Sequence, residues 1–250
     1  DCYPCKNWLN NAIRYLKDES IHVIGGPNIP FKNISYSEKI TSFCKRSFFI
    51  SGNFSYRQYK SPQKYCEDYL ESCNLIMKRS TFLNCKGMDE KLYMAEDKEL
   101  FENFRIKIKK FKALFSPDVY VYHKQRKILK FLLQRLAFGT ILIKLGNFKS
   151  GLNGLLPIVP ILSFFILLLF LSSSLILTTK LSFIVGIFIL INFLIFYEMN
   201  KFIIKFKDKV VTLLIINIAN LMHIAGGLIT LFGFRRVFER KIYVLSRSNK

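Results

Sequence analysis

Leu155–Thr179 and Val210–Phe234 each run for 25 residues without a charged side chain, and Leu181–Tyr197 adds a further 17. A helix rises about 1.5 Å per residue and the hydrocarbon core of a bilayer is about 30 Å thick, so roughly 20 apolar residues suffice to cross it. The two long runs exceed that length, and the middle one nearly reaches it. The chain therefore reads as an integral membrane protein, with spans expected at about 155–179, 181–198 and 210–234.

Charge divides the remainder. Residues 1–154 carry 27 basic and 14 acidic side chains, and residues 155–250 carry 11 and 3, clustered between the apolar runs. A net charge of +21 is compatible with nucleic-acid binding. However, no helix-turn-helix, aromatic RNA-binding strand or paired zinc pattern accompanies it, and basic residues beside spans suit anionic lipid. Membrane lipid is the expected partner, and nucleic acid is not. Six cysteines show no framework spacing, and the lone Cys2-x-x-Cys5 lacks a second pair that would complete a zinc site. That usage fits a reducing cytosol.

Local patterns outline a layered first half. Lys6–Lys17 has apolar residues at helical spacing, and Ile21–Ile24 reads as a buried strand stopped by Gly25-Gly26-Pro27-Asn28. Residues 31–49 are mostly polar and fit no single element. Leu75–Met77 reads as a strand, Thr81-Phe82 opens a short helix, and Glu96–Phe104 reads as helical. Arg105–Lys112 alternates basic with apolar residues, the period of a half-exposed strand. Val119–Tyr122 reads as another strand after the turn Ser116-Pro117-Asp118. Interleaved strands and helices imply an α/β fold class. Ile128–Phe148 is apolar yet carries Lys130, Arg135 and Lys144, which predicts a helix lying on the membrane surface.

Three blocks carry the candidate chemistry: CNLIMKRSTF from Cys73, KGMDEKLYMAEDKELFENFR from Lys86, and SPDVYVYH from Ser116. In this order and spacing they resemble the acceptor half of family 2 glycosyltransferases, inverting sugar transferases of the GT-A fold. The opening DCYPCKNWL resembles the segment that follows the last Asp of that family's DxD motif. The resemblance implies a chain that begins in mid-domain. Residues 1–127 would be the C-terminal half of a GT-A domain, 128–154 an interfacial amphipathic helix and linker, 155–234 an all-α transmembrane region, and 235–250 a basic tail.

The family pattern also assigns roles. In MAEDKEL it makes Asp97 the general base and Glu96 its neighbour, although acids in a first turn are also what the helix dipole favours. Asp1 and His123 would hold a divalent metal, Mn²⁺ or Mg²⁺, although a histidine at a strand end is commonly just a surface residue. Asp89 and Glu90, in Lys86-Gly87-Met88-Asp89-Glu90, resemble the G-G-F-D-E segment that supports the acceptor pocket, with Lys86 replacing a glycine. Asn74, Lys78 and Arg79 match a block lining the sugar site. Gln134-Arg135-Leu136-Ala137-Phe138 departs from the Q-x-x-R-W of processive members, which argues against a polysaccharide synthase. Arg135 would pair with a donor or lipid phosphate, or snorkel at the interface.

The implied activity is a membrane-bound inverting transfer of sugar from a nucleotide-sugar donor to a lipid-linked or cell-envelope glycan. The catalytic half would face the cytosol at the plasma membrane. The alternative is a non-catalytic anchor or scaffold that retains a remnant of the fold. A transporter is disfavoured, because His223 is the only ionisable group in the spans. One conflict remains. Three spans put residues 235–250, net +5, outside, whereas the positive-inside rule favours a cytosolic tail.

Overall fold

The computed structural model describes residues 2–59, 65–66, 69–85, 87–88, 96–145 and 177–231. The chain forms two compact units, Asp1–Gln125 and Arg126–Lys250.

The first unit is mixed α/β. Its four-stranded sheet takes the order β4 (Tyr65–Cys66), β6 (Ala113–Phe115), β2 (Val23–Gly25), β5 (Leu75–Met77). β2 and β6 run parallel at the centre, and β5 and β4 flank them antiparallel. A three-stranded sheet takes the order β1 (Cys2–Pro4), β7 (Val121–His123), β3 (Asn28–Pro30). Gly25-Gly26, read as a strand stop, is where the chain leaves one sheet for the other. A Cβ on Gly26 would lie 2.1 Å from the Val119 carbonyl oxygen and 2.2 Å from that of Ser116, so only glycine lets these backbones approach.

The helices are α1 (Trp8–Leu16), α2 (Tyr36–Arg46), α3 (Phe48–Ser51), α4 (Arg79–Asn84) and α5 (Glu96–Lys107). Leu100, Phe101 and Phe104 of α5 are fully buried against Val23, Ala113 and Phe115 of the larger sheet. α1 buries Ala12 against Ile24 and Val119. The polar stretch 31–49 turns out to be helical because Ser35 and Glu38 form a reciprocal capping box at the start of α2.

The strand expected over Arg105–Lys112 is a correction. α5 continues through Lys107, and the strand begins only at Ala113, after a turn with Lys110 at φ 72°. A half-exposed strand would bury Ile106, yet Ile106 is 80% exposed. The helix faces its aromatic residues inward, and the short basic-apolar alternation is incidental to that periodicity.

The second unit contains α6 (Ile128–Leu145), α7 (Leu177–Met199) and α8 (Phe206–Leu231). α7 and α8 are long and apolar enough to cross a membrane. Along α7 the residues Phe183, Phe188, Ile189, Leu190 and Phe193 are exposed, which a core helix of a soluble protein would not tolerate in series. Most of the expected span 155–179 and the tail 235–250 lie outside the described residues.

α6 forms as a helix but packs along α8, a neighbour that the sequence did not identify. A Cβ on Gly139 would lie 2.1 Å from the His223 carbonyl oxygen, and one on Gly226 would lie 2.1 Å from that of Leu136. The Thr230 hydroxyl donates to the Thr140 carbonyl at 2.7 Å. Small residues at the crossing and a polar bond across it are how helices associate within lipid. Asn217 likewise donates to Asn192 at 2.7 Å, joining α8 to α7.

Candidate active site

Parallel strands place ligands at their carboxyl ends, and in this unit those are the ends of β2 and β6. β5 pairs antiparallel with β2, Leu75 opposite Gly25, so the segment entering β5 (Glu71–Asn74) arrives at that edge. Asn74 is buried and anchors the segment. Its amide donates to the carbonyl oxygens of Val119 (2.8 Å) and Pro27 (3.3 Å), and its oxygen accepts from the Trp8 indole at 2.9 Å. Asn74 is thus a clamp on the backbone, with its hydrogen-bonding groups engaged within the protein.

The first turn of α5 meets this segment. The Ser72 backbone N–H donates to Asp97 Oδ2 at 3.3 Å, and the Lys98 N–H donates to Oδ1 at 2.8 Å. Burial, then the charges of Glu96 and Glu71, push the Asp97 carboxyl up to about 6, against the pull of those two N–H donors. Glu71 accepts from the buried Asn28 amide on β3 and from the Cys73 thiol, the latter at 3.9 Å. The Cys2 thiol donates to the Cys73 carbonyl at 3.7 Å. Burial and the neighbouring Glu71 push the Cys73 thiol up as well, so it stays protonated.

Sequence reasoning placed Asp97 and Glu96 here but missed Glu71, Ser72 and Asn28. The available signal was an acid directly before the CNLIM block. Glu71 is 25 residues and more from α5 in sequence, and only the antiparallel return of β5 brings it near Asp97.

His123 pairs with Cys2 across β1–β7 and with Pro30 across β7–β3. Paired residues share a face of a sheet. His123 therefore lies on the face that carries Cys2, which reaches Cys73. Asn28, paired with Val121 two residues before His123, shares that face too and reaches Glu71. Asp1, Asp89 and Glu90 lie outside the described residues. Among the described residues, no three His, Cys, Asp or Glu side chains converge to hold a metal. Of the two residues expected to hold a metal, His123 alone lies among the described residues.

Lys78 and Arg79 belong to the opposite edge. They follow Met77, which pairs with Val23 at the start of β2. There the Lys78 charge acts on Asp18 beside Lys112. Arg79 is exposed at the head of α4 and does not join the Asp97 cluster, because an extended strand separates it from Asn74. Arg135 lies on α6 of the second unit, where its carbonyl oxygen stands 3.3 Å from His223 Nδ1. Compared with family models, curated proteins and solved structures, the chain matches none.

Proposed function

We propose that this chain carries the acceptor side of a membrane-bound inverting glycosyltransferase, with Asp97 as the general base. The supporting observation is the Asp97 carboxylate itself. It is half-buried at a helix N-terminus, beside the carboxyl ends of two parallel strands, with its pKa pushed up to about 6. A base works best with a pKa near the working pH. Asp97 is ionised at pH 7 yet more basic than an ordinary carboxylate.

In this reading the acceptor is a hydroxyl of a lipid-linked or cell-envelope glycan, and the donor is a nucleotide sugar. As the acceptor oxygen bonds to the anomeric carbon, its proton passes to Asp97. The bond from that carbon to the nucleoside diphosphate breaks on the opposite face, so the configuration inverts. The Ser72 and Lys98 N–H groups hold the carboxylate, and Glu71 and Glu96 keep it basic. The resemblance assigns Mn²⁺ or Mg²⁺ to Asp1 and His123, and the role of Asp97 does not depend on it. Two apolar helices supply the membrane attachment, and a nucleotide-sugar donor puts residues 1–125 on the cytosolic side.

The test is transfer of radiolabelled sugar from a panel of nucleotide sugars into lipid and glycan extracts of membranes that contain the protein. Asp97→Asn is expected to lower transfer by about 10²–10⁴-fold while leaving donor binding nearly intact. Transfer above a tenth of the wild-type rate would remove Asp97 from the role.

A further inference from the structure

The fold separates the two sulfurs of Cys2-x-x-Cys5. Along an extended chain, residues three apart point to opposite faces. Cys2, on β1, turns toward the Asp97 cluster, where its thiol donates to the Cys73 carbonyl oxygen at 3.7 Å. The Cys5 thiol donates instead to the Asp118 carbonyl oxygen, also at 3.7 Å. Cys2 and Cys73 are near enough for a charge on the Cys2 sulfur to act on the Cys73 thiol. Exposure separates the cysteines as well. Cys5, Cys44 and Cys85 are buried, whereas Cys2 is exposed and Cys73 partly so.

We propose that Cys2 pairs with Cys73 in place of Cys5 to form a redox site, closed to a disulfide by hydrogen peroxide and opened again by a thiol reductant. Disulfides in a reducing cytosol are usually transient and redox-sensing, which is the kind expected of this pair.

Cys2 is the sulfur that meets the oxidant, because it is the exposed one. It attacks the peroxide and the O–O bond breaks. One oxygen stays on sulfur as a sulfenic acid, and the other leaves as water. The Cys73 sulfur then bonds to the Cys2 sulfur, the S–OH bond breaks, and the hydroxide departs as a second water with the Cys73 proton. Glu71 is positioned to relay that proton, since its carboxylate already accepts from the Cys73 thiol at 3.9 Å. The two thiols together lose two electrons and two protons, and the peroxide is reduced to two waters. The bond joins residues 71 apart in sequence and clamps β1 to the segment entering β5. It also draws the Cys73 sulfur away from Glu71. Ser72, whose N–H holds Asp97, is the neighbouring residue, so closure bears on the proposed base. That consequence rests on the glycosyltransferase reading, and the pairing itself does not.

The experiment uses the full chain in detergent, treated with hydrogen peroxide and then alkylated, digested and mapped by mass spectrometry. The expected product is a peptide joining Cys2 to Cys73, lost on treatment with dithiothreitol. In Cys73→Ser the linkage should disappear and Cys2 should be trapped by dimedone as the sulfenic acid, which reports Cys2 directly. Hydrogen exchange over residues 71–74 should slow on oxidation of the wild type and stay unchanged in Cys2→Ser. Cys2 joined to Cys5 or to Cys66, or carried on to sulfinic acid with no partner, overturns the proposal. A Cys2–Cys73 bond that leaves exchange over 71–74 unchanged overturns the clamp. Neither readout uses sugar transfer, so a failed transferase reading leaves both standing.

Discussion

Asp97, the proposed base, also bears on stability. Its carboxyl rises from 3.8 in the unfolded chain to about 6 in the fold. Between those values the native state holds the extra proton, so the stabilising contribution is complete below about 4 and is lost as pH rises through 6. Asp97→Asn should therefore stabilise the fold at pH 7 by about 1–2 kcal/mol, after allowance for partial exposure. The gain should vanish near pH 4 in thermal unfolding followed by circular dichroism. Glu71→Gln removes one of the like charges that raise Asp97. The acidic limb of the transfer pH profile should move to lower pH, and an unmoved limb would show that Glu71 does not act on the base. Arg57, 2% exposed, is held between the rings of Phe54 (4.1 Å) and Tyr69 (4.5 Å). Losing both contacts and the buried stem in Arg57→Ala should cost about 2–4 kcal/mol in chemical denaturation.

Among the elements, those with strong local signals were legible in sequence. β5 spans Leu75–Met77 as read, and α1 and α4 lie within a few residues of expectation. α2 was missed because its capping box sits in a polar stretch without a clear apolar period, and β4 because it is two residues long. The α6–α8 contact was missed because glycine in a sequence reads as a helix weakener, whereas here its missing Cβ is what permits contact. Gly226→Ala should lower helical-unit stability by about 1–3 kcal/mol through overpacking, read as thermal unfolding in detergent. Gly186→Ala, with open space around its Cβ, is the matched control and should not destabilise.

For the whole molecule, helix direction bears on membrane topology. Leu136 and Thr140 of α6 meet Gly226 and Thr230 of α8 in the same order, so these helices run parallel. α7 returns antiparallel, since Asn200 meets Lys209 and Asn192 meets Asn217. With α8 crossing the membrane, its two ends, near Lys205 and Leu231, emerge on opposite sides. Single cysteines at Asn200 and Ser248 should therefore label from opposite faces in intact cells and inverted vesicles, and the proposed cytosolic placement of residues 1–125 puts Ser248 outside. Labelling of both from one face would remove α8 as a span and would restore agreement with the tail's basic charge.

Legible in the sequence by itself were apolar runs long enough to cross a membrane, the passage from a charged α/β half to an apolar helical half, and Asp97-Glu96 as candidate acids. These follow from local facts: the length of uncharged runs, the period of apolar residues, and acids in a first turn. The tertiary structure decided which other groups surround Asp97. It brought Glu71 and Asn28 to that edge, left Arg79 at the other, and put His123 and Tyr122 on opposite faces of one strand. Each outcome depends on strand order and register, which are set by long-range pairing between segments about 50 to 120 residues apart. Composition and local periodicity do not encode those pairings.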